Sequence, residues 1–367
     1  MNIFLDARFY GRSGIGRYID GLYKAILDTE PDIKIIAAGD TCRLNEGVFK
    51  AQKIIPYGSP IYSLNEQIKG SQLIKGFSKG VDVFHIPHYN APWFLPKNSV
   101  VTVHDLTQFI FPEFFGRVKP IIAKIVLRNA LKKAGRIIAD SESTKRDLEN
   151  HYPQFADKIK VIYPGTCGDF KPLSENNISA FKKSKGISDY ILCVGNRKPT
   201  KNIKRLLEAF AIIKKKHNDL QLIIIGEKFS KADEVDVMIK QLNLNDDIVK
   251  EVVKASDEEL LNYYSGAKAL IHPSLYEGFG FTPMEAMACG IPVVVSNTSS
   301  LPEICGDAAI YFDPYSASDM AEKINFVIEN VEIRKTLIEK GLNRSRLFTW
   351  DRCSENTLKV FEEVLNS

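Results

Sequence analysis

The sequence predicts an α/β protein made of two doubly wound, Rossmann-like domains. Short β-branched strands alternate with amphipathic helical stretches along all 367 residues, which is typical of parallel sheets with helical crossovers. The strands are continuously apolar, as expected when helices cover both faces of a sheet. Eleven predicted strands would make one sheet unusually wide, and the length suits roughly two domains.

The predicted strands fall into two groups along the chain. The first group comprises Asn2–Asp6, Val83–Ile86, Val100–His104, Arg136–Ala139 and Val161–Tyr163. The second comprises Tyr190–Val194, Leu220–Ile225, Ile248–Val253, Ala269–His272, Val293–Ser296 and Ala309–Phe312. Helices are predicted between them, for example over Lys201–Lys216 and Ser256–Ser265.

A polar stretch separates the two groups of strands. Residues Pro164–Asp189 contain Gly and Pro and have no strand pattern, so we place the domain boundary there. The predicted domains are an N-terminal, acceptor-side domain over 1–166 and a C-terminal, nucleotide-sugar-binding domain over 167–349. The amphipathic segment Asp351–Asn366 predicts a final helix within 350–367, and we expect it to cross back to the N-terminal domain.

Composition excludes several classes of protein. With 44% hydrophobic and 26% charged residues, the chain is not disordered, collagen-like or a coiled coil. It has no apolar run long enough to span a membrane, and its N-terminus is typical of a strand rather than a signal peptide, so we expect a cytoplasmic location. The six cysteines contain no C-x-x-C pair, which favours reduced thiols over disulfides or zinc. A net charge of +4 does not indicate nucleic acid as a partner.

Open α/β sheets bind ligands at the carboxyl ends of their strands, so the polar residues that follow strands are the candidates. The first such loop, Ala7–Arg17, contains Gly14 and Gly16, a spacing that suits an anion-binding turn or simply a tight strand-to-helix turn. The loop Asn196–Asn202 carries Arg197 and Lys201. These cations could hold a diphosphate, and a solvated basic loop is the alternative.

The segment His272–Pro292 carries the most specific pattern. Glu277 lies on a glycine-rich loop, and Glu285 lies eight residues later, just inside the helix that follows. Such a helix start offers backbone N–H groups to phosphate or sugar oxygens. The residues predicted to do so are Gly278, Phe279, Gly280, Phe281 and Thr282.

Glu277 and Glu285, with Gly-Phe-Gly between them, resemble the E-x7-E signature of retaining, nucleotide-sugar-dependent glycosyltransferases of family 4. The resemblance implies the GT-B fold, in which two Rossmann-like domains face each other across a cleft. It extends over nearly the whole chain and includes Gly14-x-Gly16, Val103-His104-Asp105-Leu106, Ala139-Asp140-Ser141, Val194-Gly195-Asn196-Arg197 with Lys201, and Ser299, Leu301, Pro302 and Glu303. One difference is Phe281-Thr282, where many relatives have Leu-Pro, and both pairs suit a helix start.

The resemblance implies a role for each motif. Arg197 and Lys201 would neutralise the donor diphosphate, and Glu285 would bind the ribose hydroxyls. Glu277 and His104 would contact the donor sugar, with Asp105 orienting His104. The loop around Gly14 and Gly16 would close on the diphosphate and the acceptor. His85 and His88 follow a strand, and they suit either the acceptor side or simple packing.

The resemblance also implies a mechanism. Family 4 enzymes have no obvious nucleophile on the reacting face, so front-side attack is expected, with the leaving phosphate helping to deprotonate the acceptor. We therefore expect Glu277 not to act as a covalent nucleophile. No Asp-x-Asp pair follows a strand, so neither a metal nor another cofactor is expected, and the nucleoside-diphosphate sugar is a co-substrate.

The first loop, Ser13–Arg17, is similar to that of bacterial surface-polysaccharide mannosyl- and rhamnosyltransferases, which favours GDP-mannose as the donor. Two alternatives are a GT-B sugar-nucleotide epimerase, which would be expected to lack the E-x7-E pair, and a non-catalytic sugar-nucleotide-binding subunit. The presence of Arg197, Lys201, Glu277 and Glu285 argues against the second alternative, because a silent subunit does not need them.

A basic, aromatic region, Phe109–Arg136, follows His104 along the chain. Residues 114–138 carry seven basic side chains and no acidic one, and Lys124, Arg128 and Lys132 recur every four residues. Ile121, Ile122, Ile125, Val126 and Leu131 supply apolar area, and Pro120 suits a helix start. A basic amphipathic helix can bind an anionic membrane, so peripheral contact with the inner face of a membrane is expected, and a solvated helix face is the alternative.

Overall fold

The computed structural model describes residues 1–11, 13–47, 49–166, 170–228, 234–251 and 255–366. These residues form two compact units. One unit consists of Met1–Gly165 together with Phe348–Ser367, and the other of Thr166–Leu347. Val252 and Val253, at the end of the predicted strand Ile248–Val253, lie outside the described residues, as does Cys167, one of the six cysteines.

The first unit contains a parallel sheet of seven strands in the order β3-β2-β1-β4-β5-β6-β7. Its elements are β1 (Asn2–Ala7), α1 (Ser13–Thr29), β2 (Lys34–Gly39), α2 (Thr41–Asn45), β3 (Lys53–Pro56), α3 (Leu64–Gly76), β4 (Val83–Ile86), β5 (Ser99–Val103), α4 (Thr107–Ile110), α5 (Lys119–Lys133), β6 (Arg136–Ala139), α6 (Glu142–His151) and β7 (Ile159–Val161).

The second unit contains a parallel sheet of six strands in the order β10-β9-β8-β11-β12-β13. Its elements are α7 (Glu175–Lys185), β8 (Tyr190–Val194), α8 (Ile203–Lys214), β9 (Gln221–Ile225), α9 (Glu234–Gln241), β10 (Ile248–Glu251), α10 (Asp257–Gly266), β11 (Leu270–His272), α11 (Phe281–Ala288), β12 (Val293–Ser296), α12 (Leu301–Cys305), β13 (Ala309–Phe312), α13 (Ala317–Glu329) and α14 (Val331–Ser345). A last helix, α15 (Trp350–Leu365), belongs to the first unit.

Each of the eleven predicted strands overlaps a strand of the structure, although β7 ends at Val161, where its prediction begins, and β2 and β3 have no predicted counterpart. The second half of β2 is Ala37-Ala38-Gly39, and these small residues have low β propensity. Strand β3 lies at the edge of the sheet and ends in Pro56. Edge strands tolerate proline, and their side chains are less buried, so their sequences show the apolar strand pattern least clearly. Pairing with β1 in the sheet, rather than local preference, makes β2 a strand.

Both faces of the first sheet are covered. Ile3 and Leu5 pack into one buried cluster with side chains of α1 and α15, while Phe4 packs into another with side chains of α3 and α5. Neighbouring residues of a strand point to opposite faces, so the successive residues Ile3, Phe4 and Leu5 of β1 must all be apolar. This arrangement accounts for the continuously apolar strands in the sequence.

Helix α15 is built into the first unit. A Cβ atom at Gly21 would lie 2.0 Å from the ring of Trp350, and one at Gly165 would lie 2.2 Å from the Trp350 backbone N. Phe361 is fully buried and contacts the ring of His85 at 5.2 Å between centroids. The last helix therefore completes the core of a unit whose other elements precede it by some two hundred residues.

Candidate functional site

The glycine-rich loop and α11 are positioned by one glycine. Gly280 precedes α11 with a φ of +108°, in the left-handed region that glycine tolerates and other residues rarely adopt. A Cβ atom there would also lie 3.1 Å from Cδ2 of Leu301. Phe281 and Thr282 form the first turn of α11, as predicted. Phe279 and Phe281 contact each other edge to face at 5.2 Å.

Glu277 lies at the centre of a charged cluster. Its Oε1 accepts a hydrogen bond from Nζ of Lys201 and another, of 2.9 Å, from Nε2 of His272. Burial opposes ionisation of Glu277, but the Lys201 charge and the His272 hydrogen bond outweigh it and hold the pKa of this carboxyl well below its usual range. Glu277 is therefore a carboxylate, and Lys201 compensates its charge.

Hydrogen bonds fix the loop that carries Glu277. Its backbone N donates to Oγ of Ser299 at 2.9 Å, and Oγ of Ser300 donates to the carbonyl oxygens of Glu277 and Phe279. The backbone N of Leu275, in the same loop, donates a hydrogen bond to the carbonyl oxygen of Thr200, which precedes Lys201. The cation and the carboxylate are thus positioned by segments that are bonded to each other.

Arg197 follows β8 and lies almost completely inside the second unit, with 4% of its side chain exposed. Its Nη1 donates to Oδ1 of Asp236 at 3.2 Å, and the other oxygen of Asp236 is 2.5 Å from Nζ of Lys228. Both predicted diphosphate cations are therefore already in contact with a carboxylate, Arg197 with Asp236 and Lys201 with Glu277.

Glu285 lies in α11 and faces the preceding helix, α10. It is 2% exposed, and its Oε2 accepts a 2.7 Å hydrogen bond from the hydroxyl of Tyr264. Gly278 and Phe279 are likewise buried. The second glutamate of the signature is thus held by a tyrosine from a neighbouring helix.

His104 follows β5 in the first unit and is bonded through both ring nitrogens. Nδ1 lies 2.6 Å from Oδ2 of Asp140, and Nε2 lies 2.8 Å from the carbonyl oxygen of Pro87. A carbonyl and a carboxylate can only accept, so both nitrogens carry protons. Burial alone would lower the pKa of His104, but the charge and hydrogen bond of Asp140 raise it above its ordinary value. This environment favours the imidazolium form of His104.

Asp105 does not orient His104, contrary to the expectation from sequence. Its Oδ1 accepts from the backbone N of Thr107 at 2.8 Å, at the start of α4. Asp140, at the end of β6, orients the ring instead. The neighbouring strand brings it there, because the carboxyl ends of parallel strands meet at one edge of the sheet.

His85 and His88 are core residues rather than lining residues. His85 is fully buried between the hydroxyls of Tyr23 and Thr102, at 2.8 and 3.0 Å, and burial lowers its pKa to about 3. His88 is also buried, 3.4 Å from Oδ2 of Asp6. Burial lowers the pKa of His88, although Asp6 opposes the shift.

Gly14 and Gly16 lie in the first turn of α1, which begins at Ser13, and not in a loop. A Cβ atom on Gly16 would lie 3.0 Å from the carbonyl oxygen of Phe9 and from the backbone N of Gly11. Gly16 therefore allows α1 to pack closely on the turn after β1. Arg12, within the same predicted loop, lies outside the described residues.

Sequence reasoning does not predict several partners of the site residues, among them Asp140, described above, and His272, Asp236, Tyr264 and Ser300. His272 ends β11, so its strand-end position was an available signal. Asp236 and Tyr264 lie on helices α9 and α10, and only the fold brings them to Arg197 and Glu285. Within the described ranges, no group of three or more His, Cys, Asp and Glu side chains could hold a metal ion.

Helix α5 presents a mixed surface to solvent. Lys124, Arg128 and Lys132 are exposed, and Ile121 and Ile125 are each 61% exposed. Of the five apolar residues predicted to supply area, Val126 and Leu131 instead face the core. No helix in the described part of the chain is long and apolar enough to cross a membrane.

Two family models match the chain, one for each unit. Residues 12–167 match the model described as Glycosyltransferase Family 4, and residues 174–344 match the one described as Glycosyl transferases group 1. The Glu277 loop, Arg197 and Lys201 lie in the second match, and His104 lies in the first.

Individual proteins are similar to the chain over most of its length. It is 26% identical to the O-antigen chain mannosyltransferase B of Escherichia coli over 282 residues, 76% of this chain and 74% of that protein. Among solved structures, the sucrose-phosphate synthase of Thermosynechococcus elongatus aligns with a TM-score of 0.83 at 20% identity, covering 100% and 99% of the two chains. Anabaena HepE in complex with UDP-glucose aligns with a TM-score of 0.78 at 19% identity, covering 99% of each chain.

Proposed function

Because the chain belongs to glycosyltransferase family 4 and is a hexosyltransferase with the GT-B fold, we propose that it transfers mannose from GDP-mannose. The acceptor would be a hydroxyl of a glycan or lipid-linked glycan in cell-surface polysaccharide synthesis, and the anomeric configuration would be retained. The O-antigen mannosyltransferase among its relatives supports mannose as the transferred sugar and cell-surface polysaccharide synthesis as the process.

The observation that carries the proposal is the contact of Lys201 with Glu277 beside His272. A sugar nucleotide needs cations for its diphosphate and hydrogen-bond acceptors for its hydroxyls, and this cluster offers both next to each other. Negative charge grows on the diphosphate as the sugar leaves, so Lys201 and Arg197 stabilise the transition state more than the ground state. Glu285, on the helix that starts at the same loop, is the proposed ribose contact.

The proposed reaction is a front-side displacement. The bond between C1 of mannose and the diphosphate oxygen breaks, a bond from C1 to the acceptor oxygen forms on the same face, and the acceptor proton passes to the leaving phosphate. Glu277 accepts hydrogen bonds from the sugar and forms no covalent bond. His104 acts as a hydrogen-bond donor to the sugar through Nε2–H, which donates to the carbonyl oxygen of Pro87 in the structure and exchanges that partner for a sugar hydroxyl. Arg197 and Lys201 provide the positive charge, so we expect activity to persist in excess EDTA.

We further propose that the enzyme works on the cytoplasmic side of a membrane and binds its anionic surface peripherally. Helix α5 contains no acidic residue, and its exposed cations lie among the exposed Ile121 and Ile125. Trp93, 44% exposed, lies beside this helix, because its carbonyl oxygen accepts from Nδ2 of Asn129. Positive charge with inserted apolar side chains suits a lipid surface.

The test of the donor is a panel of nucleotide sugars measured by thermal shift and by transfer. GDP-mannose should raise the unfolding temperature more than UDP-glucose, because a ligand bound to the native state stabilises it. Proton NMR of the product formed on a synthetic mannose-terminated glycolipid should show the anomeric configuration of the donor. Stabilisation by another nucleotide sugar would reject GDP-mannose, and an inverted product would reject retention.

A further inference from the structure

Asp236 bridges two cations near the proposed diphosphate site. It lies in the first turn of α9, where its Oδ1 is 3.2 Å from Nη1 of Arg197 and its Oδ2 is 2.5 Å from Nζ of Lys228. Neither the E-x7-E signature nor any other motif of the sequence includes this residue. It contacts the cation that the proposed function assigns to the leaving group.

The burial of Arg197 strengthens its electrostatic interaction with Asp236. Surface ion pairs are strongly screened by water and salt, but only 4% of the Arg197 side chain and 23% of the Asp236 side chain are exposed. A carboxylate so close to a buried guanidinium lowers the positive potential that an approaching phosphate experiences. The neighbouring cation, Lys201, has a carboxylate partner of its own in Glu277.

We propose that Asp236 is a built-in competitor of the diphosphate for Arg197. It limits the affinity of the ground-state nucleotide and so allows the nucleoside diphosphate to leave after transfer. Product release limits turnover in many enzymes, and binding energy that is equal in ground and transition states does not accelerate the chemical step. The inference rests on the proposed function, in which Arg197 contacts the diphosphate.

The test measures anion affinity in the full-length protein by calorimetry, with inorganic pyrophosphate and GDP as probes. Pyrophosphate reports on the cations independently of base and sugar. Asp236→Asn should bind both probes about tenfold more tightly than wild type at low ionic strength, with GDP dissociating correspondingly more slowly in stopped flow. The gain should shrink as salt shortens the Debye length from ~10 Å at 0.1 M to ~3 Å at 1 M.

The chain offers two controls for this experiment. Glu234 lies in the same turn of α9 but pairs with the exposed Lys204, at 2.9 Å, so Glu234→Gln should leave both affinities unchanged. Asp236→Glu keeps the charge and should resemble wild type. Damage to the fold would weaken binding rather than strengthen it. Asp236→Ser provides a second neutral variant if the asparagine variant is unstable.

The outcomes separate this inference from the proposed function. If wild type binds GDP through Arg197, but neutral variants of Asp236 bind it equally or less tightly, the competitor role is wrong and the proposed function stands. If wild type binds neither GDP nor pyrophosphate, or if Arg197→Ala binds them as wild type does, the diphosphate assignment fails and the inference fails with it.

Discussion

At the scale of single residues, Arg197 and Lys201 differ in how open they are to solvent. The side chain of Lys201 is 23% exposed, whereas that of Arg197 is almost completely buried. Each lies against a carboxylate whose charge it compensates. Replacing either cation therefore removes charge from the diphosphate site and also leaves a carboxylate less well paired.

We predict that Arg197→Ala and Lys201→Ala each lower turnover of GDP-mannose by about 10²–10³-fold, as loss of one preorganised charge contact does. Steady-state kinetics measures the effect, and circular dichroism shows whether the fold survives. Lys204→Ala is the matched control, because Lys204 is exposed and pairs only at the surface with Glu234 among its described contacts. Turnover near that of wild type in both variants would remove these residues from the diphosphate site.

His104 gives a pH dependence whose sign follows from its raised pKa. The pair with Asp140 stabilises the folded state fully below the unfolded pKa of about 6.5, and that contribution is lost as pH rises through the higher folded pKa. We predict that Asp140→Asn destabilises the protein more at pH ~5.5 than at pH ~9. Denaturant midpoints of wild type and variant across this range measure it. A difference that grows with pH would show that His104 is neutral.

Sequence reasoning at this scale found the residues of one motif but not their partners. Glu277 and Glu285 were recognisable because a glycine-rich loop and a helix start fix their spacing locally. His104 was recognised as well, but Asp140 lies 36 residues away and was replaced by the adjacent Asp105 in the prediction. Adjacency in the chain is a poor guide when parallel strands bring distant ends together.

At the scale of elements, helices α1 and α5 show that residues of one sequence motif can have different environments in the structure. The sequence predicts a loop around Gly14 and Gly16, but α1 already begins at Ser13, and Gly16 permits the close packing of this helix on the turn before it. In α5, the apolar residues split between core and solvent. A helix that faced only the core would not place Ile121 and Ile125 beside exposed cations.

We predict that wild type co-sediments with anionic liposomes but not with neutral ones, and that Lys124→Glu/Arg128→Glu/Lys132→Glu abolishes this binding. Three cations at ~1 kcal/mol each would give about 100-fold enrichment at the surface. High salt should weaken it. The control Lys335→Glu/Lys340→Glu/Lys359→Glu makes the same change in charge at exposed sites of α14 and α15 and should bind as wild type does.

Two results would contradict the membrane proposal. Wild type could fail to bind anionic liposomes at low salt, or the α5 variant could bind them as well as wild type. Either result would make the cations of α5 a solvated helix face, and the acceptor would then be sought among soluble glycans.

At the scale of the whole molecule, the fold class followed from the sequence because its evidence is repeated along the chain. Every buried strand has the same apolar sequence pattern. The two parallel sheets could therefore be predicted even though β2 and β3 were not recognised as strands. The position of α15 could not be predicted in this way. Its amphipathic pattern shows that one face is buried, but it does not show which elements that face packs against. Its contacts with α1 join residues more than three hundred positions apart, which no local pattern encodes.

We therefore predict that removing residues 348–367 unfolds the first unit while the second keeps its structure. The truncation takes away Cys353, Val360, Phe361 and Val364 from a buried cluster, and four such side chains at ~1.5–3 kcal/mol each approach the whole stability of a domain. Hydrogen exchange measures the loss as fast exchange in peptides from α1 and β4. Peptides from β8 and β11 should stay protected, because these strands lie in the other unit.

Removal of Asn366 and Ser367 alone should leave both units protected, since α15 ends at Leu365. Continued protection of α1 in the truncated chain would mean that the first unit folds without its last helix.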